Sequence, residues 1–242
     1  MKIYIREMQK KISKANKRGK TKLKWLSSFH SFSFGNYQDP NNLGFGKLRV
    51  LNDDTVSLGS GFGMHLHENM EIISIPLSGE LTHKDSMGNV GILKSGDVQV
   101  MSAGTGISHS EYNNSKTRKV EFLQIWIIPR EMGSQPRYGQ KSFQIPKNTI
   151  TPIVSPEGSG NKNTLPIGQD ATLSLLHLLQ YNMLSYNLTN PINGLFVFVI
   201  EGEAKVADEH LEWRDSISLA GNNRIAFEAL TNSKLLLIEV PL

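Results

Sequence analysis

Short apolar or alternating segments closed by glycine turns run through almost the whole of this chain, and hardly any stretch carries the period of an amphipathic helix. Residues 47–51, 70–77, 97–101, 120–128 and 195–200 are rich in β-branched and aromatic side chains, as strands require. Turn signals separate them: Asn52-Asp53-Asp54, Ser78-Gly79, Ser86-Met87-Gly88-Asn89, Lys94-Ser95-Gly96-Asp97 and Ala103-Gly104-Thr105-Gly106. Many short strands at regular spacing predict a sandwich or barrel rather than a parallel sheet with helices. The main helical candidate, 171–179, is short enough to be a strand instead.

Residues 129–166 hold six of the ten prolines, from Pro129 to Pro166, with several glycines. Such a stretch does not suit a regular central strand and reads as a connector between two halves. The halves resemble each other. Ile75-Pro76-Leu77-Ser78-Gly79-Glu80 parallels Val199-Ile200-Glu201-Gly202-Glu203, and Gly96-Asp97 through Met101 parallels Arg214-Asp215 through Leu219, at similar offsets. An internally duplicated β-barrel unit is expected.

Chemistry concentrates in the first copy. A strand puts residues i and i+2 on one face, so His65 and His67 point together, and so do His109 and Glu111. Where two such strands face a common interior, three imidazoles and a carboxylate converge. That donor set suits Fe, Mn, Ni, Cu or Zn, and the absence of thiolate argues against an iron–sulfur or closed structural zinc site. Glu71 has parity compatible with the same interior. In the second copy the positions equivalent to His65 and His67 are Leu188 and Asn190, and no histidine follows Asp215. One metal-binding barrel and one structural barrel are expected.

The other histidines suit structural roles: His30 packed and hydrogen-bonded in an aromatic run, His83 exposed before a turn, His177 at a leucine-rich boundary and His210 on a polar hairpin. Trp25, Trp126 and Trp213 read as core or domain-contact aromatics rather than ligand platforms.

The net charge of +4 hides an asymmetry, because residues 1–24 carry ten Lys or Arg against the single acid Glu7. With Tyr4 the single aromatic before Trp25 and none among the lysines and arginines of residues 10–24, this segment reads as a solvated basic leader rather than a nucleic-acid contact. No run approaches the roughly 18 apolar residues of a membrane span, and the basic, polar start lacks a secretory apolar segment. A soluble, cytoplasmic protein is expected, and zero cysteine fits that compartment.

Taken together, the motifs resemble a known family. Gly59, His65-x-His67, Glu71 and Gly79, followed by Gly96, His109 and Asn113, are similar to the cupin motifs. The stretches Phe29-His30-Ser31-Phe32-Ser33-Phe34-Gly35, Gly61 to His67, His83 to Asn89 and Gly96 to Gly106 resemble the pirin family, densely over residues 25–140 and more loosely beyond. The resemblance implies an all-β bicupin, two tandem jelly-roll-like barrels. Its expected divisions are a basic leader at 1–24, a metal-binding cupin at 25–135, a connector at 136–166 and a cupin without ligands at 167–242. It implies His65, His67, His109 and Glu111 as ligands, where an ordinary cupin would use Glu71. The implied cofactor is one divalent transition metal, Fe(II) first, with Cu, Ni, Mn or Zn as alternatives.

The implied activity is that of a quercetin 2,3-dioxygenase, opening a flavonol or similar aromatic enol with O2, with Glu111 taking the hydroxyl proton. The resemblance also implies an alternative, a metal- or redox-dependent regulator that binds a transcription factor or metabolic enzyme; a monomer is expected. Two departures stand out: Leu66 replaces the proline common between the first two histidines, and Glu68 replaces a frequent basic residue. Strand parity turns both side chains outward.

Overall fold

A computed structural model describes residues 8–242, in which strands account for nearly all regular structure. The expected leader is described only from residue 8 onward. The first strands are β1 (Gln9–Ser13), β2 (Gly19–Lys22), β3 (Leu26–His30), β4 (Leu48–Val56), β5 (Gly61–His67), β6 (Glu71–Ser78), β7 (Glu80–Asp85), β8 (Val90–Lys94), β9 (Asp97–Ser102), β10 (Ile107–Tyr112), β11 (Val120–Ile127) and β12 (Arg137–Ser142). There follow β13 (Ile150–Pro156), β14 (Leu165–Ile167), β15 (Thr172–Leu178), β16 (Met183–Asn187), β17 (Asn193–Glu201), β18 (Ala204–Val206), β19 (Glu209–Leu211), β20 (Ser216–Ala220), β21 (Arg224–Ala229) and β22 (Ser233–Pro241). Among the described residues no helix is long and apolar enough to cross a membrane.

The described chain divides into two compact units, one of residues 18–144 and 155–170 and the other of 8–17, 145–154 and 171–242. In the first, a large sheet of order β12-β9-β6-β11-β4-β3-β2 accompanies a four-stranded sheet of order β5-β10-β7-β8. In the second, β1-β20-β17-β22-β15-β13 run side by side, and the small sheet has order β16-β21-β18-β19. The central strands correspond one to one in chain order, as a duplicated cupin requires. The segment pairs matched by sequence fall on β6 and β17 and on β9 and β20, which hold equivalent places.

Three expectations change. From residue 8 onward the basic segment is not a solvated arm, because β1 pairs with β20 from Gln9↔Ala220 to Ser13↔Ser216 and β2 pairs with β3. Its cations meet acids: Lys10 reaches Glu209 at 3.1 Å, and Lys14 reaches the buried Asp215 at 2.7 Å. The proline-rich stretch is not a bare connector, since it supplies β12 and β13. Pro152 is accommodated where the pairing of β13 with β15 slips between Pro152 and Val154, a place where no ladder donor is needed. Asn52-Asp53-Asp54, read as a turn, lies inside β4, flanked by β3 and β11. Neighbours on both sides override the local turn preference of these residues.

Alternation within the first unit creates a layered interior. Leu26, Val56, Leu81 and Phe122 belong to one apolar cluster, and Ile72, Met101 and Ile107 to another. Two residues along the same faces stand polar groups: Ser28, Asp54, His83 and Gln124 beyond the first cluster, Ser74 and His109 beyond the second. The second unit has no such layer on its small sheet, where Ile225, Phe227, Ala229, Ala204 and Val206 are buried in one continuous apolar core.

Candidate metal centre

The site begins with a backbone irregularity. His109 of β10 pairs directly with His65 of β5, but Glu111 pairs with Phe62, so the register slips and β5 bulges at Gly63 and Met64. The freed Gly63 carbonyl accepts a hydrogen bond from His65 Nδ1 at 2.7 Å. A neutral His65 so tied carries its proton on Nδ1 and presents the Nε2 lone pair. Gly61 has to be glycine beside the bulge, because a Cβ there would run into the Glu111 carbonyl.

His65, His67 and His109 converge, with donor atoms all within 4.8 Å of one another and ring centroids 4.5 to 4.9 Å apart. His109 is fully buried, and its Nε2 has no hydrogen-bond partner. A buried, unpartnered imidazole nitrogen beside two further imidazoles is costly alone and is the donor arrangement a divalent transition metal satisfies. Burial first, and then the neighbouring imidazoles, lower His67 to about 4 and His109 to about 2, so both remain neutral over the physiological range. Met64 and Leu66 alternate outward, with Leu66 59 % exposed, and Glu68 is also exposed.

Glu111 lines the same pocket but stands apart from the three-imidazole group. Its carboxylate accepts hydrogen bonds from Ser74 Oγ at 3.0 Å and Gln124 Nε2 at 2.7 Å. Burial pushes this carboxyl up to about 7, against those two hydrogen bonds, which favour the charged form. Glu71 lies elsewhere. Asn69, at φ 51°, turns the chain between β5 and β6, so parity counted from His67 does not carry through to Glu71. Ser74 faces inward, and Glu71 therefore faces the opposite side of β6, where it accepts a hydrogen bond from Ser102 Oγ at 2.6 Å and approaches Gly168.

Two residues enter the site against expectation. His83 is fully buried, its ring 5.3 Å from that of His109, with Nδ1 facing Nδ1 at 3.5 Å. Asp85 accepts from His83 Nε2 at 3.2 Å and is itself fixed by Asn89 and the Met87 amide. The parity of β7 carried the signal: His83 lies two residues from the core residue Leu81. Trp126, expected only to pack, lines the pocket 4.9 Å from the His67 ring, with a buried Nε1 lacking a partner. His30 is buried and hydrogen-bonded to Thr21 and Asn52, as its context suggested, while His177 is half-buried and His210 bonds Glu203 at the surface.

The pocket beside the imidazoles has an empty volume of about 480 Å³ including its mouth, with Phe34, Phe62 and Trp126 as aromatic walls. Such walls offer a planar ring faces to pack against.

Residues 11–127 match the family model described as Pirin, and residues 152–240 match that of the quercetinase C-terminal cupin domain. The chain is 38 % identical over 239 residues to a quercetin 2,3-dioxygenase of Escherichia coli K12, covering 99 % of each. It is 40 % identical over 218 residues to a putative quercetin 2,3-dioxygenase of Pseudomonas aeruginosa, covering 89 % of this chain and 93 % of the relative. Among solved structures, the bacterial pirin YhhW from Escherichia coli in complex with nickel(II) matches with a TM-score of 0.91 at 37 % identity, covering 96 % of this chain and 99 % of that one.

Proposed function

The chain belongs to the pirin family, and on that footing we propose that it is a metal-dependent dioxygenase that opens the heterocyclic ring of a flavonol or similar aromatic enol. The observation carrying this reading is a trio of converging imidazoles, two of which line an aromatic-walled pocket together with the buried carboxyl of Glu111. His65, His67 and His109 would hold the ion, Fe(II) by family resemblance, with Glu111 as the fourth ligand. A bound divalent metal supplies Lewis acidity and open positions for substrate oxygens and dioxygen.

The protein's own groups do the rest. Glu111 accepts the proton of the enol hydroxyl on a carboxylate oxygen, and the Ser74 and Gln124 hydrogen bonds keep that group aligned. Phe34 and Trp126, packed edge to face with centroids 5.3 Å apart, form one aromatic wall against the planar ring and keep water from it. The overall reaction adds both atoms of O2 to the flavonol and releases carbon monoxide.

Protein purified without oxygen and loaded with Fe(II), Ni(II) or Cu(II) should consume O2 and bleach quercetin, with carbon monoxide evolved in equal amount. No ring-opened product with any of these metals would refute the proposal. The alternative, a metal- or redox-dependent regulator of a transcription factor or metabolic enzyme, rests on the family resemblance, and Lys10 and Lys14 of the basic segment lend it little because Glu209 and Asp215 engage them.

A further inference from the structure

One buried acid of the pocket has no part in the chemistry above. Asp54 lies on β4 in the large sheet, pairs with Ser28 across β3 and with Phe122 across β11, and is 3 % exposed. Its carboxyl lines the pocket, yet Oδ1 has no hydrogen-bond partner. Neighbours that could supply one are committed. His30 engages Thr21 at 2.8 Å and Asn52 at 2.8 Å through its two ring nitrogens, and Gln124 donates to Glu111. The adjacent Asp53, on the opposite face of β4, shows how this fold treats a structural carboxylate: Arg18 donates to it twice at 3.2 Å.

An unpaired buried carboxyl oxygen costs stability, a cost removed when a donor reaches it, and Asp54 differs from other such groups in lining the pocket. Burial pushes the Asp54 carboxyl up to about 7, against a hydrogen bond from Ser28 and with smaller contributions from the Glu111 and Asp53 charges. Either protonation state leaves an oxygen able to accept. The imidazoles stand on the small sheet and Asp54 on the large one, with the aromatic walls around the space between. A flat ligand anchored near the imidazoles therefore extends toward an acceptor that nothing in the protein satisfies.

We propose that Asp54 is a specificity-determining residue, whose Oδ1 accepts a hydrogen bond from a second hydroxyl of the aromatic ligand and so selects polyhydroxylated over singly hydroxylated enols. The proposal rests on the flavonol reading for its ligand class. It differs in its signature, because it concerns discrimination between ligands and not turnover. A site built around a polar group rejects the analogue that leaves the group unpaired.

The test compares quercetin with 3-hydroxyflavone, which keeps the hydroxyl beside the ring carbonyl and lacks the others. Dissociation constants are measured without oxygen on nickel-loaded protein, wild type, Asp54→Ala and Asp54→Asn, with turnover and thermal midpoint read separately. Wild type should prefer quercetin by about tenfold, the net worth of a good buried hydrogen bond. Asp54→Ala should reduce that preference to about twofold or less by weakening quercetin alone. Asp54→Asn, which keeps the shape and guards against a folding defect, should retain about threefold and melt no lower than wild type.

No preference in wild type, an unchanged preference in both variants, or equal weakening of both ligands would overturn the role. Absence of turnover with the preference intact would instead refute the dioxygenase reading and leave Asp54 in place.

Discussion

The three imidazoles are held in different ways, and the differences set what each substitution does. His65 is tied by Nδ1 to Gly63, His109 is buried against His83, and His67 packs edge-on to Trp126. Removing His109 should abolish the stabilisation that Ni(II) gives. Wild type should gain on the order of 5 °C at saturating metal, and His109→Ala less than about 1 °C, by calorimetry. Glu71→Gln should leave metal content unchanged, because Glu71 bonds Ser102 on the far face of β6; metal loss in this variant alone would reverse the choice of carboxylate. Glu111 makes a signed prediction for the metal-free protein. Its folded value of about 7 lies above the ordinary carboxylate value, so the folded state binds the extra proton and stability falls as pH rises between the two values. Glu111→Gln should therefore gain on wild type from about pH 4.5 to 7 and level off above, by roughly 3 kcal/mol. A pH-independent difference in urea denaturation would contradict it.

At the scale of elements, strands recruited from outside each barrel's central run complete the large sheets. β1 covers the edge of β20, and β12 covers the edge of β9. An uncovered edge strand lowers stability and invites aggregation. A chain starting at Ala15 should lower the thermal midpoint of the carboxy-terminal unit by about 5 °C or more and aggregate on heating. Retention of the wild-type midpoint would show that β1 contributes little. The bulge in β5 is the other decisive element, because it aligns His65 with His109 and supplies the carbonyl that orients His65.

For the whole molecule, duplication has produced one barrel whose small sheet turns imidazoles inward and one whose small sheet turns an apolar face inward. The sequence offset of the duplicated segments assigned Leu188 and Asn190 to the histidine positions, but β16, in the place of β5, spans Met183–Asn187. A loop-length change shifts the true counterparts earlier. There Leu184 and Tyr186 pack against the core of Ile225 and Phe227, which leaves no donor set for an ion. Elemental analysis of metal-loaded protein should give about one ion per chain, and a ratio near two would contradict the assignment.

Residue type and period determined the class of fold, the duplication and three of the groups at the centre. Alternation needs only neighbours two residues apart, and His65-x-His67 and His109 carry it within single strands. What alternation could not supply was any relation crossing a turn or a change of register. Asn69 put Glu71 on the other face, pairing on both sides made Asn52 to Asp54 a strand, and the pairing of β7 with β10 brought His83 beside His109. The basic segment read as solvated because charge suggested water, whereas backbone pairing and the acids Glu209 and Asp215 hold it. Local chemistry is written in local sequence; which faces meet, and whether a buried polar atom finds a partner, is decided only where distant strands come together.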